Sequence, residues 1–82
     1  MKVILSKDAH KQYSHLLKSE QIKIHKKLMI LESNPYEGKK LEGELQGIRS
    51  LRAWPYRILY EINEKRKLVV IHKIAHRQGA YQ

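Results

Sequence analysis

Ser50-Leu51-Arg52-Ala53-Trp54-Pro55-Tyr56-Arg57-Ile58-Leu59-Tyr60-Glu61 is the stretch that decides the fold of this chain. Pro55 favours a turn, and the run beyond it is built from strand-prone Ile, Leu and Tyr. A hairpin centred between Trp54 and Pro55 sets Arg52 opposite Arg57, whether its loop has two residues or four. Cross-strand partners share a face of the sheet. Two guanidinium groups therefore project together from a rigid surface, an arrangement that suits phosphate.

Working outward, strands are expected over Gly47–Ala53, Tyr56–Ile62 and Lys67–Ile74, the last two joined by Asn63-Glu64-Lys65-Arg66. Val3-Ile4-Leu5 reads as an opening strand. Ser6 or Lys7-Asp8 then offers a helix start, and Ala9, Tyr13, Leu16 and Leu17 recur at helical spacing. Ser19 is the expected cap of a second helix, whose Ile22, Ile24, Leu28, Met29 and Leu31 form a broad apolar stripe. Asn34-Pro35 ends it, because proline disfavours helical geometry in the residue before it. Tyr36 to Gln46, with glycines at 38 and 43 and charges of both signs, reads as a loop. The expected class is α+β in the order β-α-α-β-β-β: a four-stranded, mostly antiparallel sheet with a helical hairpin on one face. Residues 1–82 are expected to form one domain.

Alternation sorts the sheet into two surfaces. Leu51, Ala53, Tyr56, Ile58, Tyr60, Ile62, Val69 and Ile71 form the apolar face that receives the helices. Ser50, Arg52, Arg57, Leu59, Glu61, Leu68, Val70 and His72 form the other. With the second turn centred between Glu64 and Lys65, His72 falls opposite Arg57, clustering Arg52, Arg57, His72 and Ser50 near one end. Register is decisive, since a slip of one residue moves every side chain across the sheet.

Seventeen Lys and Arg against eight Asp and Glu give a net charge of +9 over 82 residues. Such an excess favours polyanions. Cysteine is absent, which excludes disulfides, thiolate metal sites and Cys nucleophiles and favours a reducing cytoplasm. The apolar run at the start is too short for a signal peptide, and no segment approaches the ~20 apolar residues of a membrane span.

Arg52 and Arg57 are candidates to bind a scissile phosphate and the charge that develops on it; as plain surface chemistry, they line a solvated sheet edge or pair with Glu61. His76-Arg77 and Tyr81 follow the last strand. A His moves protons near neutrality, and a Tyr needs nearby cations to act as a base; the alternative is a frayed basic tail. His10, His15 and His25 lack a helical i, i+4 partner, and the His72/His76 spacing does not align on a strand. No metal site or cofactor is expected. RNA offers a route needing neither: the ribose 2′-OH attacks the adjacent phosphorus while the protein moves protons and stabilises charge.

The strand–helix–helix–three-strand order joins several local matches. They are Asn34-Pro35, Lys40-Leu41, Leu45-Gln46-Gly47, Leu51-Arg52 and Tyr56-Arg57-Ile58-Leu59-Tyr60-Glu61-Ile62, with the ending Ile74-Ala75-His76-Arg77 and Tyr81. Together, over nearly the whole chain, these resemble the RelE/ParE superfamily of bacterial toxins. RelE-type members cut messenger RNA in the ribosomal A site and are neutralised by a small antitoxin. The resemblance implies Arg57 and Arg77 as phosphate and transition-state ligands and Arg52 as a further phosphate contact. It implies proton transfer or base stacking for Tyr81, and proton donation to the leaving 5′-oxygen for His76. Arg49, Ser50 and His72 complete the expected substrate contacts. Two departures stand out. Many relatives carry a basic residue where this chain has Ser50, with Arg49 beside it, and the spacing from Arg77 to Tyr81 is short. A branch of the superfamily inhibits DNA gyrase instead, and a basic binding module without catalysis is the third reading. Leu59, Leu68 and Val70, apolar on the inferred open face, are expected to meet an acidic, amphipathic antitoxin segment.

Overall fold

Ala53 and Tyr56 pair directly across Trp54-Pro55, so the central hairpin has a two-residue loop, and the Trp54–Pro55 peptide bond is cis. Around it, the computed structural model describes residues 1–77. In chain order the elements are β1 (Lys2–Leu5), α1 (Lys7–Ser14), α2 (Lys18–Ser33), β2 (Lys39–Lys40), a 3-10 turn (Gly43–Leu45), β3 (Arg49–Ala53), β4 (Tyr56–Asn63) and β5 (Leu68–His76). One sheet runs β1-β5-β4-β3-β2. β1 lies parallel to β5 and the other pairs are antiparallel. The α+β class with a helical hairpin on one face is as expected, with five strands rather than four.

The extra strand, β2, falls inside the segment read as a loop from Tyr36 to Gln46. Two lysines carry no strand signal of their own; the pairing of Lys39 with Ser50 and Lys40 with Arg49 creates the strand. Buried Tyr60 anchors its approach. The Tyr60 hydroxyl donates to the Pro35 carbonyl at 2.8 Å and accepts from the Gly38 N–H at 2.9 Å. Gly38 is required there, since a Cβ would lie 2.5 Å from that hydroxyl and 3.0 Å from the Ser50 carbonyl.

Ser6 caps α1 as expected, its hydroxyl accepting from the Ala9 N–H at 3.1 Å. α2 starts at Lys18 rather than after Ser19, with Leu17 as a cap that offers no side-chain bond. The Gln21 amide donates to the Tyr13 carbonyl at 2.9 Å, tying the first turn of α2 to the end of α1. Asn34-Pro35 ends α2 as read. The broad stripe of α2 divides: Ile24 and Leu31 are fully buried, whereas Ile22 and Met29 face outward at 51% and 56% exposure beside Ile30.

The core joins Ile24 and Leu31 to Leu51, Ala53, Ile58, Tyr60, Val69, Ile71 and Ile74. All eight residues assigned to the helix-facing surface from alternation lie in it or pack against it. Full burial of one such Ile or Val side chain contributes about 1.5–3 kcal/mol. The core is thus the fixed frame for the opposite face. Among the described residues, no helix is long and apolar enough to cross a membrane.

Candidate nucleic-acid interface

The sheet face away from the helices carries two basic rows. Arg52 pairs with Arg57, as the hairpin reading required, and Arg57 pairs with Ala75. Two residues along the strands, Lys39, Ser50, Leu59 and Lys73 form a row across four strands. The rows lie about 6.6 Å apart, from the rise of an extended strand. Arg52 and Arg57 are thus like charges set directly opposite each other, an arrangement that by itself weakens a sheet.

His72 does not fall opposite Arg57. The second turn is centred one residue later than expected, with Asn63 paired to Leu68. Lys67 adopts a left-handed φ of 57°, and the Arg66 N–H donates to Asn63 Oδ1 at 3.1 Å. That displacement moves each partner by two and preserves the faces. A bulge then intervenes: Tyr60 pairs with Ile71 but Leu59 pairs with Lys73, leaving His72 as the additional residue. Its Nε2 lies 3.0 Å from Glu61 Oε1.

The bulge inverts the alternation beyond it. Lys73 joins the open face, Ile74 enters the core at 4% exposure, and Ala75 takes the place beside Arg57. Helix α1 braces this irregularity. Gln12 Oε1 accepts from the Ile74 N–H at 2.8 Å, the Ser6 hydroxyl donates to the His72 carbonyl at 3.0 Å, and the Ser6 N–H donates to the Ile71 carbonyl at 2.9 Å. A bulge beside a site re-aims side chains, and here it supplies Lys73. Neither Lys73 nor Lys39 was anticipated from the sequence.

Ser50 lies on the open face but is 5% exposed, and its Oγ makes no hydrogen bond among the described residues. Leu59, paired with Ser50 and Lys73, is also buried, at 7% exposure, which corrects its reading as an exposed contact. Arg49 stands apart from the site. It pairs with core residue Tyr60, lies 5.1 Å from the Tyr36 ring centroid and donates to the Gly38 carbonyl at 2.9 Å. The Tyr36 hydroxyl in turn donates to Glu64, a bond that raises the Tyr36 pKa above its ordinary value.

At the hairpin end the aromatic and basic residues converge. The Arg77 guanidinium lies 4.9 Å over the Trp54 ring, and the Arg77 N–H donates to the Pro55 carbonyl at 2.8 Å. Lys23 Nζ, from α2, donates to the Trp54 carbonyl at 3.0 Å. His76 pairs with Tyr56 across β4 and β5, their rings meeting edge-on at 5.4 Å. Arg52, Arg57, His76 and Arg77 thus lie at one end of the sheet, Arg52 and Arg57 on the open face and His76, paired with Tyr56, on the helix-facing one; Tyr81 lies outside the described residues. Among the described residues, no three His, Asp or Glu converge as a metal site.

A family model described as ParE toxin of type II toxin-antitoxin system, parDE, matches residues 3–81. The chain belongs to this toxin family, within the RelE/ParE superfamily. Solved relatives of the ParE-family chain support the assignment. It is 29% identical to a chain of the toxin-antitoxin complex RelBE2 from Mycobacterium tuberculosis, with a TM-score of 0.85 over 93% of this chain and 96% of that one. Similarity to the archaeal RelE-RelB complex from Pyrococcus horikoshii OT3 is 26% in identity, with a TM-score of 0.76 over 96% and 97% of the two chains. The isolated E. coli RelE toxin shares the fold at 21% identity and a TM-score of 0.78, over 99% of this chain and 85% of that one. No curated protein matches the chain.

Proposed function

We propose that this ParE-family toxin is a ribosome-dependent endoribonuclease that acts in the cytoplasm and cuts messenger RNA in the A site without a metal ion. The cross-strand Arg52–Arg57 pair, with Arg77 at the same sheet end, carries the reading. In the reaction the ribose 2′-oxygen bonds to phosphorus, its proton passes to a base, and the bond from phosphorus to the 5′-oxygen breaks. The leaving oxygen takes a proton. Arg57 and Arg77 stabilise the added charge on the phosphoryl oxygens, and Arg52 holds the phosphate. His76 supplies the proton to the 5′-oxygen, and Tyr81 takes part in proton transfer or base stacking. DNA is inert on this route because it lacks the nucleophile.

A cognate antitoxin is the proposed partner. Two of the similar structures are described as toxin-antitoxin or RelE-RelB complexes. Outward-facing Ile22, Met29 and Ile30 on α2, interspersed with Lys23, Lys26 and Lys27, suit an acidic amphipathic segment.

Purified protein incubated with programmed ribosomes, with cleavage mapped by primer extension, tests the nuclease reading. Cuts are expected within the A-site codon, only when ribosomes are present. They should fall roughly 100- to 1,000-fold in a folded Arg57→Ala variant, with Tyr81→Phe ranking that residue. A second reading is favoured by the ParE description of the matching family: inhibition of DNA gyrase. Absence of cleavage together with inhibited supercoiling by the same preparation would establish that reading and remove the nuclease.

A further inference from the structure

We propose that Trp54 is a base-stacking platform, gripping the nucleotide next to the phosphate held by Arg52 and Arg57. The inference rests on the nuclease reading for its ligand, single-stranded RNA. Trp54 is 58% exposed, the largest side chain in the protein held out of the core. Leaving so much aromatic surface in water forgoes the stabilisation that burial brings, which marks the position as one with a use.

The indole is also held in place. Its loop has only two residues, between the paired Ala53 and Tyr56. The Arg77 N–H fixes the Pro55 carbonyl at 2.8 Å, and Lys23 Nζ fixes the Trp54 carbonyl at 3.0 Å. The Arg77 guanidinium lies over the ring, 4.9 Å from its centroid. A cation over one face of an indole is a favourable contact that steadies the ring for a base on the other. Trp54 lies two residues beyond Arg52, about 6.6 Å along an extended backbone. A phosphate on the Arg52–Arg57 pair therefore brings the adjoining base within reach of the indole.

Stacking of this kind tolerates any base, because each has a π-face. It acts on position more than on sequence and favours purines only by their larger area.

The chain has a single Trp, so tryptophan fluorescence reports on this indole alone. Titration with a 2′-O-methyl oligoribonucleotide, which binds without being cut, is expected to quench it in step with binding measured by anisotropy. Trp54→Ala should weaken that binding and slow cleavage on programmed ribosomes roughly 5- to 150-fold. Trp54→Phe, which keeps an aromatic face, should retain most of both. Binding without quenching, or cleavage by folded Trp54→Ala at the wild-type rate, would overturn the proposal and leave the nuclease reading standing. Equal loss in the Ala and Phe variants without quenching would overturn it too, showing the indole to brace the turn. A wild-type protein that neither binds nor cuts RNA would remove both readings together.

Discussion

Replacing Lys39 and Lys73 together by Gln tests whether the second basic row touches RNA. The two residues stand at opposite ends of a row crossing β2, β3, β4 and β5. Three strand spacings separate them, about 14 Å, too far to hold the same phosphate. Each therefore neutralises its own, and for single strands each such contact contributes about −0.7 to the slope of log K against log salt. The double variant should lose about 1.4 from the magnitude of that slope. Over a fourfold rise in salt, wild-type binding then falls about sevenfold more than that of the variant. The assay is anisotropy of a labelled 2′-O-methyl oligoribonucleotide across a salt series. Lys7→Gln with Lys11→Gln is the control, since it removes the same charge from α1, across the sheet from the basic rows. A slope unchanged by the Lys39/Lys73 pair, or reduced equally by the control, would refute the two-row interface.

Three further outcomes follow from the supports of that face. Tyr60→Phe leaves the Gly38 N–H and the Pro35 carbonyl without their partner. It should cost about 1–3 kcal/mol, a fall of roughly 5–20 °C in thermal midpoint by circular dichroism; an unchanged midpoint would contradict the anchoring role. Burial raises the Tyr60 pKa above its ordinary value of 10.0, so the folded state holds this proton more tightly than the unfolded chain. The associated stability is complete below about pH 10 and is lost as pH rises through the folded-state value. Urea midpoints should accordingly fall less steeply above that pH in Tyr60→Phe than in wild type, and parallel curves would exclude the effect. Gln12→Leu removes the acceptor of the Ile74 N–H and should cost about 1–3 kcal/mol. It should also speed amide exchange at Ile74 relative to Val69, and uniform exchange would show that Gln12 does not brace the bulge.

How legible the fold was depended on whether each element is determined locally. Strict alternation in Leu51, Ala53, Tyr56, Ile58, Tyr60 and Ile62 could place only one face inward, and Pro55 left the hairpin one centre. Ser6 and Asn34-Pro35 are similarly self-contained signals, and both marked real helix limits. β2 is a different case. Lys39-Lys40 becomes a strand because β3 offers an edge and Tyr60 holds the preceding turn at Gly38, from 22 residues further along. The outward stripe of α2 was hidden by averaging, since a helix with apolar residues on two sides reads as one broad stripe.

The site was legible up to the bulge and not beyond it. Arg52 and Arg57 needed only the first turn, so their pairing followed from the hairpin. His72 and Lys73 needed the register of β5 past residue 71, which depends on Gln12 and Ser6, on and just before a helix more than 60 residues earlier. A single additional residue decides the chemistry there. Without it, Lys73 would point toward the helices and His72 would lie nearer Arg57. With it, Ile74 completes the core, His72 meets Glu61, and a lysine joins the row beside the arginines. Both placements thus turn on the same irregularity: Ile74 enters the core and Lys73 reaches the open face together only because the strand steps out of register between Ile71 and Lys73.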